Sequence, residues 1–320
     1  MRSLWYTGVG VIASVAVWVS LQEVKVAPST AFLSKAPGSR VRLSHGHTHY
    51  EVMGPEDGKR VVFVHGFTLP SFHVWRETAE HLAEKGFRVL IYDLYGRGFS
   101  DAPDAIYDRS LFTCQLRELL TVVPGFNQPV TLVGASMGGA IVAAFSQVFP
   151  DQVAKLVLVA PAGVTPAPVP LLGKIAQLRG IGEFLVEAQP GLMRDNLGAH
   201  ISKGYANPNA PRSKVAIERA GNLLGEYVAH CPGFLRAVLS TLRHGPISDL
   251  SDAYRSLAAS SRPTLVFWGD SDVVVPTSDM EVLKQTLPKA TFELLSNSGH
   301  DLMLESAPEF HKSLVEFLRS

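Results

Sequence analysis

Apolar residues along this chain fall into short unbroken runs that alternate with stretches of helical periodicity, the signature of βαβ units around a largely parallel sheet. Val61–Val64 is a run of four β-prone residues stopped by His65-Gly66, as expected of a strand buried on both faces. Trp75–Lys85 carries apolar residues at helical spacing and meets a helix-ending glycine at Gly86. Arg88–Tyr92 closes on Asp93, and Thr131–Val133 is cut off at Gly134. A helix over Met137–Phe149 then stops at Pro150, and Leu156–Ala160 is the next predicted strand. Arg40–Leu43 and Tyr50–Met53 fit an opening hairpin. Further on, Thr264–Trp268 and Phe292–Leu295 are predicted strands, with helices over Ser278–Thr286 and Pro308–Leu318.

Between Pro161 and about Ser260 the alternation fails. Strand-like runs are scarce, and helix-like stretches such as Leu172–Leu178 and Phe234–Arg243 replace them, after a start containing Pro166, Pro168 and Pro170. The pattern predicts a helical insertion over residues 164–260, laid across the sheet like a lid, which divides the core into 40–163 and 261–320. At the other end, Leu4 to Leu21 is eighteen residues without a charge, about the lower limit for a bilayer span. Trp5, Tyr6 and Trp18 lie near its ends, and Arg2 precedes it. Residues 1–21 are therefore expected to be a membrane anchor, with the body of the chain on the lumenal or extracytoplasmic side; a cleaved signal peptide and secretion is the alternative. Residues 22–39, with Pro28, Pro37 and Gly38, are expected to be a linker.

Composition narrows the classes. Hydrophobic residues make up 46% and charged residues 18%, which suits a globular chain. Twenty-nine basic residues balance twenty-nine acidic ones, and no local basic run offers a face to nucleic acid. Cys114 and Cys231 are far apart and in no metal or redox spacing, so two unpaired thiols are expected.

The strongest local chemistry is Gly134-Ala-Ser136-Met-Gly138-Gly139, with a short apolar strand before it and an amphipathic helix after. This is the setting of a nucleophile elbow: a serine on a sharp strand-to-helix turn, with glycines where neighbouring segments approach too closely for side chains. A serine hydroxyl needs a base to remove its proton. Thr264–Trp268 runs into Gly269-Asp270-Ser271-Asp272, and Phe292–Leu295 is followed by Asn297-Ser-Gly299-His300-Asp301. An acid and a histidine thus each follow a parallel strand, on the rim where such sheets bind ligands. The chain order is Ser136, Asp272, His300.

These motifs resemble those of the α/β-hydrolase superfamily, in particular the branch of monoacylglycerol lipases, small esterases and carbon–carbon-bond hydrolases, over about residues 48–320. His65-Gly66-Phe67 is similar to the family's H-G-x turn, Asp93-Leu-Tyr-Gly96-Arg-Gly98-Phe-Ser100-Asp101 to its D-x-x-G-x-G-x-S-D turn, and Asp272-Val-Val-Val-Pro276 to its acid-plus-proline pattern, which favours Asp272 over Asp270. The resemblance implies an α/β-hydrolase fold, with a mostly parallel sheet, flanking helices and a helical lid. It implies Ser136 as nucleophile, His300 as base and Asp272 as the acid that orients it. The N–H groups of Phe67 and Met137 would form the oxyanion hole, with both residues also touching substrate. No metal or organic cofactor is called for. The expected activity is a serine esterase or lipase acting on a monoacylglycerol-like lipid ester. A prolyl-aminopeptidase-like enzyme, a carbon–carbon-bond hydrolase, and a hydrolase-fold binding protein without turnover are the alternatives.

Other residues are given structural roles. His65 is expected to brace the oxyanion turn, and Asp93 and Ser100 to shape theirs. His45, His47 and His49 alternate and would share one strand face; a solvated polar hairpin is expected there in preference to a metal site. Cys231 has no elbow around it and is not expected to be a nucleophile.

Overall fold

A computed structural model of the chain describes residues 26–166 and 171–320. The predicted runs become an eight-stranded sheet in the order β1-β2-β4-β3-β5-β6-β7-β8. Its strands are β1 (Ser39–Leu43), β2 (Gly46–Met53), β3 (Arg60–Val64), β4 (Arg88–Tyr92), β5 (Val130–Ala135), β6 (Val153–Val159), β7 (Thr264–Gly269) and β8 (Thr291–Leu295). β1–β2 and β2–β4 pair antiparallel, and the other neighbours pair parallel. The unbroken runs sit at the centre of the sheet: Val61–Val64 in β3 and all of β5 are buried, as a strand covered on both faces requires. The parallel strands share a direction, so the loops after β3, β5, β7 and β8 gather at one edge.

Helices Arg76–Glu84, Arg109–Val122, Met137–Val148, Thr277–Thr286 and Ala307–Arg319 flank the sheet. Between β6 and β7 the described residues hold Leu171–Gln177, Ile181–Ala188, Pro190–Ser202, Pro211–His230, Phe234–His244 and Ser251–Ala259. The last of these packs on Met137–Val148, and its Asp252 pairs with Arg109 at 2.8 Å. It therefore belongs with the flanking helices rather than with the insertion predicted to run to residue 260.

Within the segment expected to be a linker, residues 26–39 are packed. Thr30–Leu33 forms a helical turn capped by Ser29, and Phe32 is 2% exposed. The Phe32 ring stacks on Phe99 at 4.7 Å and meets Tyr227 edge-on at 5.8 Å. Ser29 N–H donates to the His230 carbonyl at 2.8 Å, and Ala102 N–H donates to the Val26 carbonyl at 2.6 Å. The segment is a strap between the helix Pro211–His230 and the turn after β4. Phe32, an isolated aromatic among Ser, Thr and Ala, was the one sign of it in the sequence.

The expected membrane anchoring is corrected. Leu4–Leu21, on which it rested, lies outside the described residues, and among the described residues no helix is long and apolar enough to cross a membrane. The longest, Pro211–His230, carries Arg212, Lys214, Glu218, Arg219 and Glu226, and each ionised group within hydrocarbon is costly. The extracytoplasmic placement that followed from the anchor falls with it.

The hairpin histidines also differ from expectation. The histidine face of β2 is not solvated along its length: His49 is buried, at 2% exposed. His49 Nδ1 faces Asp93 Oδ2 at 2.8 Å and its Nε2 faces the Pro37 carbonyl. Both partners are acceptors, a setting that favours a proton on each ring nitrogen of His49. Burial pushes its pKa down, but Asp93, Pro37 and Glu51 outweigh burial and leave it raised. His47 Nδ1 is engaged by Asp101 at 3.1 Å, while His45 is exposed in the turn between β1 and β2.

Candidate active site

The turn after β5 carries Ser136 at φ 53°, ψ −121°. A side chain in this sparsely populated region costs about 1–3 kcal/mol and persists only when its surroundings over-determine it. Here they do. Ser136 N–H donates to the Val159 carbonyl at 2.9 Å, and the Ser136 carbonyl accepts from Ala140 N–H at 3.2 Å and Ala162 N–H at 3.0 Å. A Cβ on Gly134 would lie 2.3 Å from the Gly138 carbonyl oxygen, and one on Gly138 would lie 2.2 Å from that of Val64. Both obstacles are backbone, so the two glycines are obligatory. Ser136 itself is half-buried.

The β7 and β8 loops bring Asp272 and His300 together. His300 Nδ1 donates to Asp272 Oδ2 at 2.8 Å, while Asp272 Oδ1 accepts from Val274 N–H at 2.8 Å and Val275 N–H at 2.9 Å. The Asp272 carboxylate is 5% exposed and its acceptors are filled. Trp268 Nε1–H donates to the Val275 carbonyl at 2.9 Å and pins the far end of this loop. Asp270, the rival acid, instead accepts from Asn297 N–H at 3.0 Å and Ser298 N–H at 3.3 Å, bracing the base of the histidine loop. Burial by itself lowers the His300 pKa; the Asp272 charge, its hydrogen bond and the Asp301 charge outweigh burial and raise it above the ordinary value. With Nδ1–H given to Asp272, Nε2 is the nitrogen left for chemistry.

Ser136 and His300 line one cavity, about 540 Å³ including the part open to solvent. Phe67, Leu69, Val74, Ile201, Val274 and Met303 give it an apolar wall. Gly66 runs beside the serine, where a Cβ on it would lie 3.4 Å from that of Ser136. The His65-Gly66-Phe67 turn is held by His65: its Nδ1–H donates to the Gly66 carbonyl at 2.9 Å, and its Nε2 accepts from Leu94 N–H at 2.9 Å. Burial pushes His65 down to about 4, so it is neutral and braces the turn. Asp93 accepts from Ser71 N–H and Phe99 N–H, both at 3.0 Å, and Ser100 Oγ–H donates to the Asp93 carbonyl at 2.6 Å, shaping the turn as expected.

The oxyanion pair is split by the structure. Phe67 lines the cavity, whereas the Met137 side chain is 0% exposed and does not. Met137 was expected to touch substrate, but its side chain does not reach the cavity; its backbone opens the helix Met137–Val148, whose first N–H groups have no acceptor within the helix. Burial pushes the Cys231 thiol up to about 12, which leaves it inert.

Three residues at the site were not singled out by sequence. Arg97, 1% exposed, donates Nε–H to the Phe67 carbonyl at 2.9 Å and an Nη2–H to Thr241 Oγ1 at 3.0 Å. Its guanidinium carbon lies 5.5 Å from the centre of the Phe67 ring, so it fixes both the backbone and the side chain of that turn. His200 reaches the cavity from the helix Pro190–Ser202, and Asp301 from the residue after His300. Adjacency to His300 was a usable signal for Asp301; a lone histidine in a polar stretch gave none for His200.

Known proteins share this framework. The thermophilic esterase from Thermogutta terrifontis superposes with a TM-score of 0.71 at 25% identity, over 89% of this chain and 98% of that one. Lipase 3 of Moraxella sp. (strain TA144) is 27% identical over 259 residues, 79% of this chain and 75% of the lipase. The 2-hydroxy-6-oxononadienedioate/2-hydroxy-6-oxononatrienedioate hydrolase 2 of Pseudomonas putida is 28% identical over 302 residues, 91% of this chain and 99% of that protein. The family model described as alpha/beta hydrolase fold matches residues 59–307, and with the sheet order and elbow geometry above, the chain belongs to the α/β-hydrolase fold family.

Proposed function

We propose that the chain is a serine hydrolase that cleaves carboxylic esters through an acyl-enzyme, with an acylglycerol-like ester of an apolar acid as its preferred substrate. The observation that carries this is the convergence of Ser136 and a His300 already tied to Asp272 on one apolar-walled cavity. His300 Nε2 takes the Ser136 proton as Oγ attacks the acyl carbonyl, then returns it to the departing alcohol. Water attacks the acyl-enzyme by the same route and releases the acid. Asp272 holds the imidazole tautomer and stabilises the cation. The N–H groups of Phe67 and Met137 receive the oxyanion, and such a donor is commonly worth about 2.7–4 kcal/mol. The helices from Leu171 to His244 act as the cap, since His200, Ile201 and Gly204 close the cavity over Ser136.

Carbon–carbon-bond cleavage of a dicarboxylate, the type of substrate for which the P. putida relative is named, fits less well. Among the described residues no Lys or Arg lines the cavity, and Asp301 does; a second carboxylate there would meet repulsion and no counter-charge. The test is fatty-acid release from monoacylglycerols of increasing chain length, with Ser136→Ala as control. Turnover that rises with chain length and vanishes in Ser136→Ala supports the proposal. Absence of turnover at every length sinks the lipid ester, and turnover surviving in Ser136→Ala sinks the mechanism.

A further inference from the structure

Two carboxylates border the catalytic histidine in unlike states. Asp272 is saturated, by two backbone N–H groups and His300. The Asp301 carboxylate accepts no hydrogen bond from the described residues, although the backbone of Asp301 is held, its N–H by the Gly204 carbonyl at 3.1 Å and its carbonyl by Leu304 N–H at 2.8 Å, and it lines the cavity with Ser136. The carboxylate is half-buried on the cavity wall with its acceptor sites free of protein donors, so a donor on bound substrate can take them. The departing alcohol must lie against His300 to receive its proton, which brings the substituents of that alcohol toward the next residue, Asp301. His200 borders the same space.

Resting on the serine-ester proposal above, we infer that Asp301 is a specificity-determining residue that accepts a hydrogen bond from a free hydroxyl on the leaving alcohol, which selects partial esters of polyols over esters of simple alcohols. Charge separates this occupant from its rivals. An ammonium on the alcohol would sit beside the imidazolium that forms at His300 in each half-reaction, and a carboxylate would face Asp301 itself. A neutral hydroxyl suffers neither. Burial, with lesser contributions from the Asp272 and Glu305 charges, pushes the Asp301 carboxyl up to about 6 against the lowering effect of His300, as befits a carboxylate short of donors. Burial also lowers the His200 pKa, with His300 and Lys203 adding to it, which favours the neutral ring; as it borders the same cavity it can share a second hydroxyl.

The experiment compares kcat/KM for glycerol monobutyrate, butyl butyrate and butyrylcholine, which share an acyl group and differ only in the alcohol. Full-length wild-type, Asp301→Asn and Asp301→Leu are used, with thermal unfolding as the check on folding. Replacing Asp301 changes the field at His300 and shifts every absolute rate, so the ratio between esters is the readout. Wild-type is expected to prefer glycerol monobutyrate over butyl butyrate by about tenfold, the worth of one charge-assisted hydrogen bond. Asp301→Leu should bring that ratio near one, and Asp301→Asn, which keeps an acceptor oxygen, should retain part of it. An unchanged ratio in Asp301→Leu, or a wild-type preference for butyrylcholine, overturns the assignment. If Ser136 is labelled by a fluorophosphonate and butyl butyrate is cleaved without a preference, only the polyol inference fails. If no ester is cleaved and Ser136 is not labelled, the serine-ester proposal fails and this inference with it.

Discussion

At Ser136 the chain holds a side chain where the backbone is strained, and the glycines around it are the means. Gly134→Ala and Gly138→Ala would each drive a methyl group into a backbone oxygen at 2.3 or 2.2 Å. Each is expected to lose 1–3 kcal/mol or more in urea melts, as overpacked sites do, and to lose fluorophosphonate labelling of Ser136 before global unfolding. The acid position makes a separate prediction. The proposed mechanism needs neutral His300, and its folded pKa is raised by Asp272, so the acid limb of kcat/KM should lie above the ordinary imidazole value of about 6.5. Asp272→Asn should move that limb down and reduce kcat by about 10⁴-fold, through loss of tautomer and cation stabilisation. A limb that stays put in Asp272→Asn would mean that another group sets the base. Sequence left Asp270 and Asp272 separated only by a motif resemblance. Geometry separates them by partner: backbone N–H groups of the β8 loop for one, His300 for the other.

Among the elements, the least visible in sequence is the strap at residues 26–39. Its backbone bonds and one aromatic join the helix Pro211–His230 to the turn after β4. Phe32→Ala removes a side chain that is 2% exposed and is expected to cost about 3 kcal/mol of stability by thermal or denaturant unfolding. A surface linker would show less than about 0.5 kcal/mol. A second junction holds the histidine loop. Glu305 accepts from Gly299 N–H at 2.6 Å, Ala206 N–H at 3.1 Å and Asn207 N–H at 3.3 Å, tying the loop of His300 to the segment after the helix Pro190–Ser202. Pattern alone predicted the strands, because the central ones are unbroken apolar runs, and four of the flanking helices, because each buries a face at period 3.6; the helix Arg109–Val122 was not singled out. Pattern also missed Pro190–Ser202 and Pro211–His230 because much of their length is polar and their partners are other helices of the insertion.

For the molecule as a whole, buried imidazoles govern the response to acid. Burial, aided by Arg97, Arg219 and His81 with Arg212 respectively, pushes His65, His73 and His311 down to about 4 each. A lowered folded pKa means that the unfolded chain binds more protons between about 4 and 6.5, so stability falls as pH drops through that window. Asp301, raised to about 6, acts the other way and offsets part of one such contribution. His49, raised by Asp93, contributes fully below 6.5 and loses its contribution as pH rises through its folded pKa. Stability should therefore be greatest near pH 6.5, decline above it as the His49 contribution is lost, and fall by a few kcal/mol from about 6.5 to 4. Tm measured against pH checks this, and a flat profile over that span would show that the imidazoles ionise in the folded state without cost.

The sequence by itself determined what depends on neighbours along the chain. Hydrophobic runs set the strands, helical spacing set four of the flanking helices, and the glycines at 134 and 138 set the elbow, because each is a local steric or solvation demand. It also placed Ser136, Asp272 and His300 after separate strands in an order that a parallel sheet can gather at one edge. Only the tertiary structure decided which acid meets His300, that Met137 offers no side chain to the cavity, and that Phe32 makes a strap of an apparent linker. It alone revealed the bare carboxylate of Asp301 and the buried guanidinium of Arg97 behind Phe67. These are contacts between segments far apart in sequence, and their energies come from burial and hydrogen-bond pairing, which no local pattern records.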